Sequence, residues 1–108
     1  MYTPQRIDPS SVRVIEQGGP FGEGVPDYAR RQIAALADCT SRPILFGKVR
    51  LTQHIEPAAV IVKGLVDVDG DVILARAHAF SAREAIDLVL DQLREQLVEQ
   101  SPGSRAEA

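Results

Sequence analysis

Three consecutive stretches of the chain alternate apolar and polar side chains with a period of two residues. They cover residues 44–54, 58–68 and 71–80. Successive side chains of a β-strand point to opposite faces of its sheet, so the alternation predicts three strands. In the first of them, Val49 and Leu51 are expected on one face and Lys48 on the other. A sheet with one apolar face has to bury that face under a second layer.

Residues 67–71, DVDGD, separate the second and third stretches and resemble the start of a calcium loop. A calcium loop of the helix–loop–helix type has glycine at position six and a bidentate glutamate at position twelve. Here Gly70 would be at position four and His78 at position twelve, so the ligand pattern does not fit. Asp-Gly between two alternating stretches instead predicts a hairpin turn, because glycine accepts a positive φ and aspartate nearly does.

Helical periodicity predicts two helices, one before and one after these strands. The first should begin near Pro26 and Asp27, which favour a first helical turn, and end by residues 41–43. The second should begin after Ser81, a good N-cap that has the spacing of a capping box with Glu84. Their apolar faces consist of Ala29, Ile33, Leu36 and Ala37 in the first helix and Ile86, Val89, Leu90, Leu93 and Leu97 in the second.

A further short strand is expected over residues 12–17, ahead of the glycine-rich segment 18–24. The order of elements predicts an α+β fold, β-α-β-β-β-α, with one four-stranded mixed sheet. Both helices should pack on the same face of this sheet and leave the other face open to solvent. Residues 1–11 are expected to be a flexible lead-in, 12–100 the folded domain and 101–108 a polar tail or linker.

The composition of the chain restricts the classes of function. Its net charge of −3 over 108 residues argues against a strongly basic nucleic-acid binder. The single Cys39 excludes an internal disulfide and fits a reducing cytoplasm, and no apolar run is long enough to span a bilayer. No phosphate-binding loop, nucleophile elbow or metal-ligand spacing is found. We therefore expect a cytoplasmic, non-enzymatic protein with no metal, cofactor or membrane partner.

The distribution of charge is more informative than the total. Residues 81–100 hold five acids and two bases, a net −3, so the rest of the chain has ten of each. Four cations are expected together on the sheet face opposite the helices: Lys48, Arg50, Lys63 and Arg76. Two interpretations remain open for them, phosphate contacts to RNA and a solvated face whose charges prevent edge-to-edge aggregation.

The last strand and helix resemble a known family. In residues 70–97, the motif EAID at 84–87 is followed by Leu93 and by QL at 96–97. This spacing is similar to the end of the N-terminal domain in the ribosome hibernation-promoting factor family, which includes the ribosome-associated inhibitor protein. The order of elements over residues 12–100 also matches the β-α-β-β-β-α domain of that family.

The resemblance implies a domain that binds the small ribosomal subunit at the decoding region and contacts its ribosomal RNA. By occupying the path of messenger and transfer RNA, such a domain would inhibit translation by steric occlusion and preserve idle ribosomes under stress. The resemblance also implies that a longer form would carry a C-terminal dimerisation domain, joined through the polar tail.

The second helix departs from the family pattern. Its positions 92, 95 and 99 carry Gln, Glu and Glu where family members usually have basic residues, and Arg83 replaces a common aromatic residue. The predicted RNA contacts therefore shift to the sheet face and to the remaining helix cations. The complete predicted set is Arg30, Arg31, Lys48, Arg50, Lys63, Arg76, Arg83 and Arg94.

Two alternatives from other functional classes remain open. One is a protein-interaction module of the same fold that has lost RNA binding, with the acidic second helix as its partner surface. The other is a small enzyme or ligand-binding domain, which would require several residues that converge in one deep pocket.

Overall fold

The computed structural model describes residues 7–99, which form a four-stranded sheet covered by two helices on one face. The elements are β1 (Arg13–Gln17), α1 (Val25–Ala35), β2 (Ile44–His54), β3 (Ala59–Val68), β4 (Asp71–Ala79) and α2 (Ala82–Glu99), with 3₁₀ turns at Pro9–Ser11 and Leu36–Cys39. Their order confirms the predicted β-α-β-β-β-α architecture of the α+β class. The predicted tail over residues 101–108, and residues 1–6 of the predicted lead-in, lie outside the described residues.

The strands lie in the sheet in the order in which they occur in the chain. β1 is parallel to β2, because α1 carries the chain back along the sheet between them. The β2–β3 and β3–β4 pairs are antiparallel hairpins. The register aligns Arg50 with Lys63 and Lys63 with Arg76, so these three side chains point to the same face.

Each helix crosses the sheet over a glycine. A Cβ atom on Gly47 would lie 2.7 Å from Cγ2 of Ile33 in α1. A Cβ atom on Gly64 would lie 2.8 Å from Cγ1 of Val89 in α2. Neither distance leaves room for a side chain, so both glycines face the helices and the residues next to them in the strands face away.

The helices and the near face of the sheet enclose a core of aliphatic side chains. The largest fully buried ones include Ile33, Leu36, Leu51, Ile86, Leu90 and Leu93. Burial of each such side chain contributes roughly 1.5–3 kcal/mol relative to exposure. Among residues 7–99, no polar or charged residue is fully buried. The charges of this part of the chain are therefore carried at its surface, where a partner can reach them.

The helix boundaries follow from local hydrogen bonding. The Oγ atom of Ser81 accepts a hydrogen bond from the backbone N–H of Glu84 at 3.2 Å, which confirms the predicted N-cap of α2. α1 ends at Ala35, because the N–H of Leu36 bonds to the carbonyl of Ile33 and the chain tightens into a 3₁₀ turn. Within residues 7–99, no helix is both long enough and apolar enough to cross a bilayer.

The predicted hairpin turn between β3 and β4 is confirmed. Its two central residues, Asp69 and Gly70, have positive φ angles of 54° and 96°. Nη2 of Arg42 donates to Oδ2 of Asp71 at 2.6 Å and to the carbonyl of Val68 at 3.1 Å. Nε of the same arginine lies 3.9 Å from Oδ2 of Asp69. Arg42 thus ties the turn to the segment that follows α1 and pairs with two of its carboxylates.

The free edge of β4 is covered by two side chains of α2. Gln92 accepts a hydrogen bond from the backbone N–H of Arg76 at 3.3 Å and donates one to its carbonyl at 2.9 Å. Gln96 donates to the carbonyl of Leu74 at 2.7 Å. Gln92 therefore bonds the backbone of Arg76 as a neighbouring strand would, and it protects an edge that would otherwise be exposed.

Replacement of Gly64 by alanine should destabilise the domain by about 1–3 kcal/mol, because the new methyl group overpacks against Val89. Denaturant unfolding followed by circular dichroism measures the loss. Lys63→Ala is the matched control, since it changes the adjacent residue on the opposite face, adds no atom against α2 and should not lower the free energy of unfolding by more than about 0.5 kcal/mol. Equal stability of Gly64→Ala and the wild type would show that α2 can move away from β3 at no cost.

Candidate nucleic-acid interface

We call the side of the sheet that points away from the helices the open face. Its central side chains are Ile15, Lys48, Arg50, Thr52, Ile61, Lys63, Leu65, Leu74, Arg76 and His78. Because Gly47 and Gly64 face the helices, Lys48 and Lys63 beside them must face the opposite way. The structure thus brings the four predicted sheet cations together on one surface.

Three of these cations lie side by side, and we call Arg50, Lys63 and Arg76 the cation row. They are direct cross-strand neighbours on strands about 4.8 Å apart. The backbone N–H and C=O of Arg76 both bond to Gln92 and so point away from β3. Lys63 and Arg76 therefore form a non-hydrogen-bonded pair, in which the facing side chains lie closer together than in a hydrogen-bonded pair. Like charges directly opposite each other in a sheet are destabilising.

The four sheet cations line a single surface cavity of about 520 Å³. Leu65, Leu74 and Gln92 also contribute to its walls. None of the four cations forms an ion pair with a carboxylate of residues 7–99. The Nε atom of Arg50 is buried and has no hydrogen-bond partner in that part of the chain. The cavity therefore presents positive charge that the described protein does not neutralise.

Apolar side chains adjoin the cation row on both sides. Leu65 and Leu74 are cross-strand partners one step along the sheet from Lys63 and Arg76, and Leu74 is 61% exposed. On the other side of the row, Ile61 lies opposite His78. The open face thus combines cations with aliphatic surface, which suits a ligand that has both phosphate and base or sugar surfaces.

The four predicted helix cations lie on the helical layer and are not part of the open face. Arg30 pairs with Asp27 at 3.0 Å, and its Nε donates to the carbonyl of Val12 at 3.3 Å. Arg94 pairs with Asp91 at 3.3 Å. The eight predicted residues are therefore divided between two surfaces.

The remaining two helix cations differ in their surroundings. The guanidinium of Arg83 lies over the ring of Tyr28, 4.5 Å from its centroid, in a cation–π contact. Arg31 is exposed and lines a second cavity, of about 410 Å³, which it shares with Arg30 and Asp27. Arg31 is thus the helix cation best placed to meet an external phosphate.

A hydrogen bond links the two helices. The phenol of Tyr28 in α1 donates to Oδ1 of Asp87 in α2. This hydrogen bond, followed by burial and by the negative charge of Asp87, raises the pKa of Tyr28 above its usual value, while Arg83 opposes the shift. Asp87 belongs to a row of exposed acids on α2 that also contains Glu84, Asp91, Glu95 and Glu99.

The residue-by-residue interpretation of the sequence missed Arg13. This exposed residue of β1 is the register partner of Lys48, so it extends the cationic surface to the edge strand. The signal was present, because Val12 and Val14 on either side of Arg13 are apolar and face the core side of β1. Because β1 has only five residues, its alternation is a weak signal for the face on which Arg13 lies.

The histidines do not gather into a metal site within residues 7–99. Nδ1 of His54 lies 3.1 Å from the carbonyl of Pro57. His78 lies on the open face and lines an apolar surface cavity beside Phe80. No group of three or more His, Cys, Asp or Glu side chains in the described part of the chain is placed to hold a metal ion. Cys39 is half-buried and packs against the core.

Comparison with solved structures finds the same fold. A ribosomal subunit interface protein from Coxiella burnetii aligns over 82% of this chain and 93% of its own, with a TM-score of 0.67 and 18% identity. The N-terminal domain of Protein Y from Thermus thermophilus aligns over 79% and 91%, with a TM-score of 0.68 and 20% identity. Both match the family that the sequence resembles. The fold implied by that resemblance is confirmed.

At this level of identity the likeness establishes the fold alone. No family model and no curated protein matches the chain. What this protein binds is therefore inferred from its own surface, and above all from its open face.

Lys63→Glu should stabilise the unliganded domain, because it replaces two cross-strand repulsions with two attractions, worth about 0.2–1 kcal/mol each. Urea unfolding at low salt measures the gain, which should shrink at high salt because exposed charges are screened. Lys63→Gln is the control and should give a smaller gain. A loss of stability in Lys63→Glu at low salt would contradict the repulsion inferred for the cation row.

The raised pKa of Tyr28 predicts an alkaline limit to the contact between the helices. The hydrogen bond to Asp87 needs a protonated phenol, so its contribution is complete below the ordinary pKa of 10.0 and is lost as the pH rises through the raised value. Tyrosinate absorbance, assigned with Tyr28→Phe, measures this pKa. In Asp87→Asn it should fall toward 10.0, and an unchanged value would refute the assigned cause.

Proposed function

We propose that the domain binds the small ribosomal subunit at the decoding region, through ribosomal RNA, and inhibits translation under stress by steric occlusion. The observation that carries this proposal is the set of four sheet cations that form no ion pair with a carboxylate of residues 7–99. The fold supports it, since one neighbour is described as a ribosomal subunit interface protein. Action in the cytoplasm, and a C-terminal dimerisation domain in a longer form, are part of the same proposal.

Inhibition by occlusion requires affinity and volume but no reacting group. The described fold measures 46 × 33 × 18 Å along its principal axes, so it would obstruct a channel built for an extended RNA strand. Four phosphate contacts to single-stranded RNA predict a slope of about −3 for log Kobs against log salt concentration. Between about 50 and 200 mM salt, binding through the open face should therefore weaken roughly 50-fold.

The acidic surface of α2 favours a second candidate function, a protein-interaction module of the same fold that does not bind RNA. Its outer residues Glu84, Asp87, Asp91, Glu95 and Glu99 are all exposed. Arg94 pairs with one of these acids, Asp91, and Arg30 pairs with Asp27 in α1, so this row of acids keeps a net negative charge. A negative helix repels phosphates and would suit a basic protein partner.

Co-sedimentation with small ribosomal subunits at about 50 and 200 mM salt tests the proposed function. One variant replaces the four sheet cations, Lys48, Arg50, Lys63 and Arg76, with glutamine. The matched control replaces the four helix cations, Arg30, Arg31, Arg83 and Arg94, with glutamine and so removes the same charge. We expect the first variant to lose binding and the second to retain most of it, with circular dichroism to confirm that both fold.

Other outcomes have distinct meanings. If the sheet variant sediments as well as the wild type, the open face is not the ribosome-binding surface. If the wild type does not sediment at low salt, and filter binding detects no affinity for ribosomal RNA, the protein-interaction module replaces the ribosome-binding proposal.

A further inference from the structure

The cation row contains a hydrogen-bond donor that lacks an acceptor within residues 7–99. The Nε atom of Arg50 is buried without a hydrogen-bond partner among residues 7–99, and Lys63 stands directly opposite it. A buried donor left unsatisfied is destabilising, and the adjacent like charge adds to that cost. A ligand that carries negative charge would offset the repulsion, and its oxygens would provide the acceptor that Nε lacks if the Arg50 side chain turns toward them.

Phosphate has the chemistry that this position requires. A guanidinium presents parallel N–H donors that match two oxygens of one phosphate group, and lysine adds a point charge. Arg76 lies on the other side of Lys63, so the lysine has an arginine on each side. The backbone of Arg76 is held by both polar groups of the Gln92 amide, which fixes this strand before a ligand arrives.

The apolar surface beside the row limits the kind of nucleic acid that fits. Leu65 and Leu74 line the same cavity as the cations, and Leu74 is largely exposed. In an A-form duplex the flat faces of the bases are stacked inside, and phosphates, 2′-hydroxyls and base edges form the accessible surface, so a duplex would leave these apolar side chains unused. A single strand can turn a base outward and lay it on them.

Resting on the proposed function, we propose that the open face binds single-stranded RNA, with one backbone phosphate on the cation row and an adjacent base on Leu65 and Leu74. The cavity volume of about 520 Å³ lies within the range that accommodates one small-molecule-sized unit. The amide of Gln92, which also lines the cavity, uses one donor and one acceptor position on the backbone of Arg76, and this fixes its orientation. The cation row and the two leucines would contact a phosphate and the flat face of a base, which every nucleotide has, so the site selects strandedness over sequence.

Fluorescence anisotropy with RNA of about ten nucleotides tests this inference, with the single strand compared with the duplex of the same sequence. The single strand should bind at least about tenfold more tightly at about 50 mM salt. Leu74→Ala should weaken binding of the single strand about fivefold, because it removes apolar surface that covers a base, and leave duplex binding unchanged. Leu88→Ala, a change at a partly exposed leucine of α2, is the matched control and should alter neither.

The paired N–H donors of the planar Arg50 guanidinium provide a second test. Arg50→Lys keeps the charge but loses the paired donors, so single-strand affinity should fall about tenfold. Circular dichroism establishes that the variants are folded. Equal affinity for single strand and duplex, with no effect of Leu74→Ala, would overturn the single-strand mode but leave ribosome binding by the sheet cations intact. Absence of binding to both RNAs and to small subunits would overturn the proposed function itself, and the single-strand mode with it.

Discussion

The contact of each helix with a glycine of the sheet determines which charges this protein can present. Gly47 and Gly64 both face the helical layer, and Ile33 and Val89 approach them so closely that no side chain fits between. Both helices are thereby held on the same side. The alternation of the strands then places every second residue on the uncovered side, where Lys63 and its neighbours in the sheet meet solvent.

The uncovered side has an arrangement that folding alone does not explain. Three cations stand next to one another across three strands, although a single acidic substitution would relieve their repulsion. The chain does pair charges elsewhere, since Arg30, Arg42 and Arg94 all contact carboxylates. Local conflict of this kind is typical of functional surfaces, where stability is lowered to keep groups available for a ligand.

The fold was largely predictable because its signals are local. Alternation located β2, β3 and β4, the Asp-Gly dipeptide located the turn, and Ser81 located the start of α2. These features depend on residues a few positions apart, which sequence patterns describe well. The same alternation placed the four sheet cations on one face.

The details of the site were less predictable because they depend on contacts between distant segments. Arg42 bonds to Asp71, 29 residues away, and Gln92 bonds to Arg76, 16 residues away, and no local motif encodes either pair. The stacking of Arg83 on Tyr28 likewise requires the packing of two helices. Sequence periodicity therefore indicated which face carries charge, but not which cations are already engaged.

The covered edge of β4 limits how copies of this domain can associate through their sheets. A further strand that approached this margin would find the backbone of Leu74 and Arg76 already bonded to side chains of α2. Growth of the sheet is thus restricted to the margin formed by β1, which offers only five residues. This asymmetry would let many copies of the domain accumulate as separate particles without polymerising through their strands.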